Sequence, residues 1–95
     1  MKIDFSRTMT DFEGQPVQNG QQPLTLGVVA ARALNATGDP RSSPDDALAR
    51  GMLAFKVYGQ TEADVTPEDL ALIRKMLPVA WAPMIVAQAH EMLGG

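Results

Sequence analysis

The stretch TPEDLALIRKMLPVAWAPMIVAQAHEML, residues 66–93, decides how this chain is read. Thr66-Pro67-Glu68-Asp69 has the form of a helix start: Thr66 as N-cap, Pro67 at the first helical position, and acids in the first turn, where the helix dipole favours them. Leu70, Ile73, Met76 and Leu77 then recur as one helical stripe, with Arg74 and Lys75 turned away. Pro78 is expected to interrupt that helix, and Pro83 to open another, running from Met84 to Leu93 and stopping at Gly94-Gly95.

Working outward towards the N-terminus, the same start recurs. Ser43-Pro44-Asp45-Asp46 predicts a helix capped by Ser43, with Leu48, Met52 and Phe55 along its core face, Leu53 and Val57 broadening it, and Gly59 as its stop. Gln60 to Val65 reads as a polar connector. Thr25 caps an earlier helix whose Leu26, Val29, Ala30, Ala33 and Leu34 form a regular stripe. Leu24 is placed to staple onto Val29, and Asn35-Ala36-Thr37-Gly38-Asp39-Pro40 forms the closing loop. Ahead of it, Lys2 to Phe5 alternates as a short strand with Ile3 and Phe5 on one face. Glu13-Gly14 between Met9–Phe12 and Gln15–Val17 signals a hairpin turn, and Asn19-Gly20 a second turn.

The expected architecture is mainly α: about four helices in a small bundle with a short N-terminal β-strand or hairpin element. Residues 1–95 form a single domain, with a β/turn-rich segment at 1–23 and the bundle at 24–95. Leu26, Val29, Ala33, Leu48, Met52, Phe55, Leu70, Ile73, Leu77, Ile85 and Ala89 are expected to share one core. Length supports one domain and not two. The 45% hydrophobic and 20% charged content is that of an ordinary globular chain, so disorder throughout is excluded.

No cysteine is present, which removes disulfides and thiolate metal sites. The N-terminus lacks the continuous apolar run of a signal peptide, and the uncharged, largely apolar run Met76 to Ala89 is shorter than the ~20 residues a membrane span needs. The expectation is a protein of the cytoplasm, without membrane association. A net charge of −3 argues against a nucleic-acid footprint, which needs clustered Lys and Arg.

Chemistry-bearing residues have plainer readings. Asp45-Asp46 and Glu68-Asp69 each follow a capping residue and Pro, where acids serve the helix dipole. His90, the single histidine, sits near a helix C-terminus without metal-ligand partners at suitable spacing. Asp11 and Glu13 before Gly14 offer only a fragment of a calcium loop. No catalytic residue, cofactor or metal is expected, so the chain reads as non-enzymatic. Leu24 to Ala33 resembles the first helix of a repressor-type helix-turn-helix, which keeps a small DNA-binding regulator using the Thr25 helix as the alternative. Gly38 and Pro40 oppose a recognition helix directly after it.

Several stretches taken together, Met1 to Ser6, Thr10-Asp11 with Gly14 and Pro16-Val17, Leu24 to Ala30, Leu72 to Lys75 and Pro83 to Leu93, resemble small proteins encoded by tailed phages and prophages. The resemblance implies a phage context inside a bacterial host and no functional residues. With that context, an acidic, cysteine-free small domain without a site and with an over-apolar last helix gives the expectation of an accessory protein that acts by protein–protein interaction; a tail-assembly chaperone and an inhibitor of a host factor are its concrete forms.

The last helix suggests how such contacts are made. Ile85, Ala89 and Met92 mark its core stripe, while Met84 and Ala87 lie on the other side with Gln88 and Glu91. The apolar surface therefore wraps further than one neighbour covers. Trp81 is either a packing anchor at the bend or part of a contact. Trp81, Met84, Ala87, Gln88 and Glu91 are the candidate interface, and the expected partner is a second copy in a homodimer or higher oligomer, or else a phage or host protein.

Overall fold

The computed structural model describes residues 1–37 and 43–94. Gly38, Asp39 and Pro40 of the expected loop, Arg41, and the terminal Gly95 lie outside the described residues. The elements are β1 (Lys2–Asp4), β2 (Gln18–Asn19), β3 (Gln22–Pro23), α1 (Leu26–Leu34), α2 (Pro44–Val57), β4 (Glu62–Asp64), α3 (Pro67–Ala80) and α4 (Pro83–Met92). The fold is mainly α with a small N-terminal β-element, as the sequence predicts. No helix among the described residues is long and apolar enough to cross a membrane.

Helix α1 is the centre of the molecule. Seven of its nine residues are buried, and α2, α3 and α4 all pack against it. It is built largely of small residues, so its neighbours approach closely. At Gly27 the approach is closest: a Cβ there would lie 2.9 Å from the Val57 carbonyl oxygen and 3.2 Å from that of Phe5. The Gly27 amide donates to that same Phe5 oxygen at 2.8 Å, and the Leu26 amide to Arg7. These bonds satisfy first-turn amides of α1 that have no partner within the helix.

All three polar caps form as predicted. The Thr25, Ser43 and Thr66 side chains accept from the amides of Val28, Asp46 and Asp69, and Asp69 returns a bond from the Thr66 amide to complete a capping box. Pro78 does not end α3, which runs on to Ala80. It lies in the last turn, where the amide it lacks would have served one carbonyl only, and the Trp81 amide still closes the helix onto Leu77.

Ile3 of β1 and Phe5 just after it are inward, as expected, but the partner of β1 is β4, within the stretch read as a polar connector. Lys2 faces Asp64, Ile3 faces Ala63 and Asp4 faces Glu62. Two acids around one alanine carry no strand signal, and the unpaired edge of β1 supplies the reason for pairing. The two-stranded hairpin also sits later than predicted: β2 and β3 turn at Gly20-Gln21, with Gly20 at φ 65°. Around Gly14 the arms meet only in a bridge between Thr10 and Pro16. Asp11 organises that turn, its Oδ1 accepting from the Glu13 and Gln15 amides at 2.9 and 3.0 Å. Asp4 plays a similar part at the end of β1, where the Ser6 hydroxyl and amide hold its carboxyl below the usual range.

The largest correction concerns α2. Leu48, Met52 and Phe55, expected in the core, are exposed, whereas Leu53 and Val57 are buried together with Arg50. The helix is rotated so that a polar pair faces inward. Arg50 Nε lies 3.4 Å from Asp46 Oδ2, Arg50 Nη1 donates to the Ala36 carbonyl oxygen at 3.1 Å, and Lys75 Nζ of α3 lies 3.7 Å from Asp46 Oδ1. A buried arginine is tolerated when its charge is paired, and Asp46 pairs this one while Nη1 bonds the Ala36 carbonyl oxygen. The other expected core positions, Leu26, Val29, Ala33, Leu70, Ile73, Leu77, Ile85 and Ala89, are all buried in one cluster.

Two predictions follow from this packing. Leu70→Asp, at a fully packed site, should cost at least about 3 kcal/mol, while Phe55→Asp should change stability by less than about 0.5 kcal/mol; urea unfolding of the two variants at low protein concentration checks the contrast. Gly27→Ala should destabilise by about 1–3 kcal/mol, because backbone oxygens of two elements would have to move.

Candidate protein-interaction surface

The residues singled out on α4 are largely drawn into the fold. The Trp81 indole N–H donates to the Val29 carbonyl oxygen at 3.0 Å, and the half-buried ring makes Trp81 an anchor between α1 and the α3–α4 bend. Gln88 grips the N-terminal segment: its Oε1 accepts from the Thr10 amide and hydroxyl at 2.9 and 3.2 Å, and its Nε2 donates to the Thr10 carbonyl oxygen at 2.6 Å. The side-chain amide thus pairs with Thr10 much as a neighbouring strand would. Met84 is half-buried against the core, and only Ala87 and Glu91 of the five are exposed. The apolar surface that the sequence left uncovered on α4 is reduced, because Ile85, Ala89 and Leu93 are buried and Met84, Val86 and Met92 pack partly against them.

The exposed apolar surface lies instead on α2. Leu48 is 66%, Met52 67%, Phe55 87% and Tyr58, at the helix end, 59% exposed. Leu48, Met52 and Phe55 recur at i, i+4 and i+7, which places them on one face roughly 150° around the helix from Leu53 and Val57. A helix with two opposed apolar stripes has only one of them satisfied by its own domain. Beside this ridge runs a groove of about 290 Å³, lined by Ala31 and Arg32 of α1, Asn35 at its end, Gly51, Ala54 and Phe55 of α2, and Tyr58 just beyond it. Arg32 is held in place by Asn19, whose Oδ1 accepts from its guanidinium at 3.0 Å.

Gly51 has no role inside the monomer. Its φ is not positive, and a Cβ added there would meet nothing within 4 Å. A mid-helix glycine of this kind weakens the helix without relieving any internal clash.

The ionisable groups do not converge on this surface. Asp46 pairs with Arg50 and Lys75 on the inward side of α2, Asp69 caps α3, and His90 is exposed in the last turn of α4. Among the described residues no group of three or more His, Cys, Asp or Glu is placed to hold a metal ion. What the surface offers is apolar contact area with an adjoining concavity, which suits recognition of another apolar surface.

No family model, curated protein or solved structure matches the chain. The α2 ridge was hidden in the sequence because its residues are larger and more apolar than those of the true core face. The available signal was the opposition of the two stripes on α2, together with Asp46 and Arg50 at ion-pair spacing on the inward one.

Gly51→Ala should stabilise the monomer by about 1 kcal/mol, the helix-propensity difference between the two residues. Thermal melts at low micromolar concentration provide the check.

Proposed function

We propose that this chain is a non-enzymatic accessory protein that acts by binding protein, in the phage or prophage setting its sequence resembles, within the cytoplasm of a bacterial host. The outward face of α2 is its contact surface. The observation that carries this reading is the ridge of Leu48, Met52 and Phe55 along α2, with Tyr58 just beyond its end, four large side chains left in water on a small domain. Exposed residues of this kind scattered singly are ordinary; gathered on one face beside a groove they favour an interface, and the aromatic pair supplies the usual anchors.

The DNA-binding alternative receives less support. The Thr25-capped helix is the most enclosed element, and the outward face of α2 is apolar where phosphate contacts would require cations. Several cations are engaged within the fold: Arg50 and Lys75 with Asp46, Lys56 with Asp69, and Arg74 with the Leu93 carbonyl oxygen at the end of α4.

The test is a photo-crosslinking amino acid placed at Phe55 and, as control, at the exposed Val79, in cells producing the protein. The reading predicts a discrete adduct from position 55 that is absent from position 79. Equal background from both positions would falsify it. Adduct mass separates a second copy from a foreign protein.

A further inference from the structure

We infer that the occupant of the α2 ridge is a second copy of this chain, seated antiparallel about a two-fold axis that passes between Gly51 and Met52. This rests on the reading of α2 as a contact surface and names the partner.

The pattern of the helix is complementary to itself in that orientation. Reversing α2 about this point sets Leu48 against Phe55 of the second copy, and Phe55 against its Leu48, so the aliphatic and aromatic ends of the ridge cover each other twice. Met52 meets Met52 on one flank of the axis, and Gly51 meets Gly51 on the other. The missing Cβ lets the two backbones approach closely at the crossing, which gives Gly51 the packing role it lacks in the monomer. Charge selects the same direction. Exposed Asp45 in the first turn and Lys56 in the last, which its own chain holds 3.7 Å from Asp69, lie on the Met52 flank, so the antiparallel arrangement adds Asp45 of the second copy as a further acid beside each Lys56. A parallel arrangement would set the two acidic first turns, with Asp45 and Asp46 in each, side by side and align the two helix dipoles.

The area is sufficient. Covering Leu48, Met52, Phe55 and Tyr58 on both copies removes on the order of 1,000 Å² from water, the lower bound for a specific interface. The ridge itself carries no charge, so the net −3 of each chain is kept away from the contact.

Sedimentation equilibrium of the purified chain tests the inference. The expected result is a monomer at low micromolar concentration and a dimer by about 100 μM, as befits a small interface. Phe55→Asp should weaken association at least about tenfold, and Gly51→Ala should weaken it while raising monomer stability. Because the chain has no cysteine, orientation can be read directly from oxidative cross-linking. Met52→Cys should link to itself near the axis. Leu48→Cys should not, since its two copies would stand about 10 Å apart along the helices, but it should link efficiently when mixed with Phe55→Cys.

A monomer mass persisting to several hundred micromolar, or association indifferent to Phe55→Asp, overturns the inference. Equal self-linking by Leu48→Cys and Met52→Cys overturns the antiparallel arrangement. A chain that stays monomeric yet gives a heavier heterologous adduct from position 55 in cells would overturn self-pairing while leaving the contact surface in place.

Discussion

The close approach at Gly27 is the constraint on which the rest of the structure depends. The start of α1 touches the end of β1 and the end of α2 at once, through the carbonyl oxygens of Phe5 and Val57. Only a residue without a side chain allows both, and the hydrogen bond from the Gly27 amide to Phe5 turns that proximity into an attachment. With α1 held there, the small residues along its length bring α3 and α4 close on its other sides. A chain of this size has little apolar area to spare, so placing the most buried helix at the centre is an efficient use of it.

The second determinant is the polar pair inside α2. Asp46 and Arg50 could have been left in solvent, and the more apolar face turned inward. The observed rotation instead uses the Arg50 guanidinium on the Ala36 carbonyl just beyond the end of α1, and the Asp46 carboxylate on Lys75 of α3. These contacts tie three helices together near the interior, where removing one partner is costly. The consequence is functional as well as structural. The same rotation that satisfies Arg50 sends Leu48, Met52 and Phe55 into water, so the candidate contact surface is created by an internal ion pair on the opposite side of the helix.

Side-chain to backbone hydrogen bonds fasten the periphery. Gln88 holds Thr10 from α4, Trp81 holds Val29 from the α3–α4 bend, and Arg74 reaches Leu93 at the end of α4. Segments with little regular structure are held to the core this way, since the bonds give their backbone groups partners that the short strands do not supply.

The number and starts of the helices were legible in the chain itself. Thr25, Ser43-Pro44 and Thr66-Pro67 act within one turn of their own position, and the stripes of α1 and α3 are regular enough to orient them without reference to a partner. Strand β1 and its inward Ile3 and Phe5 were legible for the same reason, because alternation is a local property. The tertiary structure decided what depended on distant groups: the pairing of Glu62–Asp64 with β1, the inward turn of Trp81 and Gln88, and above all which stripe of α2 is buried. Hydropathy ranks Leu48, Met52 and Phe55 above Asp46 and Arg50. Only the fold supplies Lys75 and the Ala36 carbonyl, the distant partners that Asp46 and Arg50 meet on the inward side.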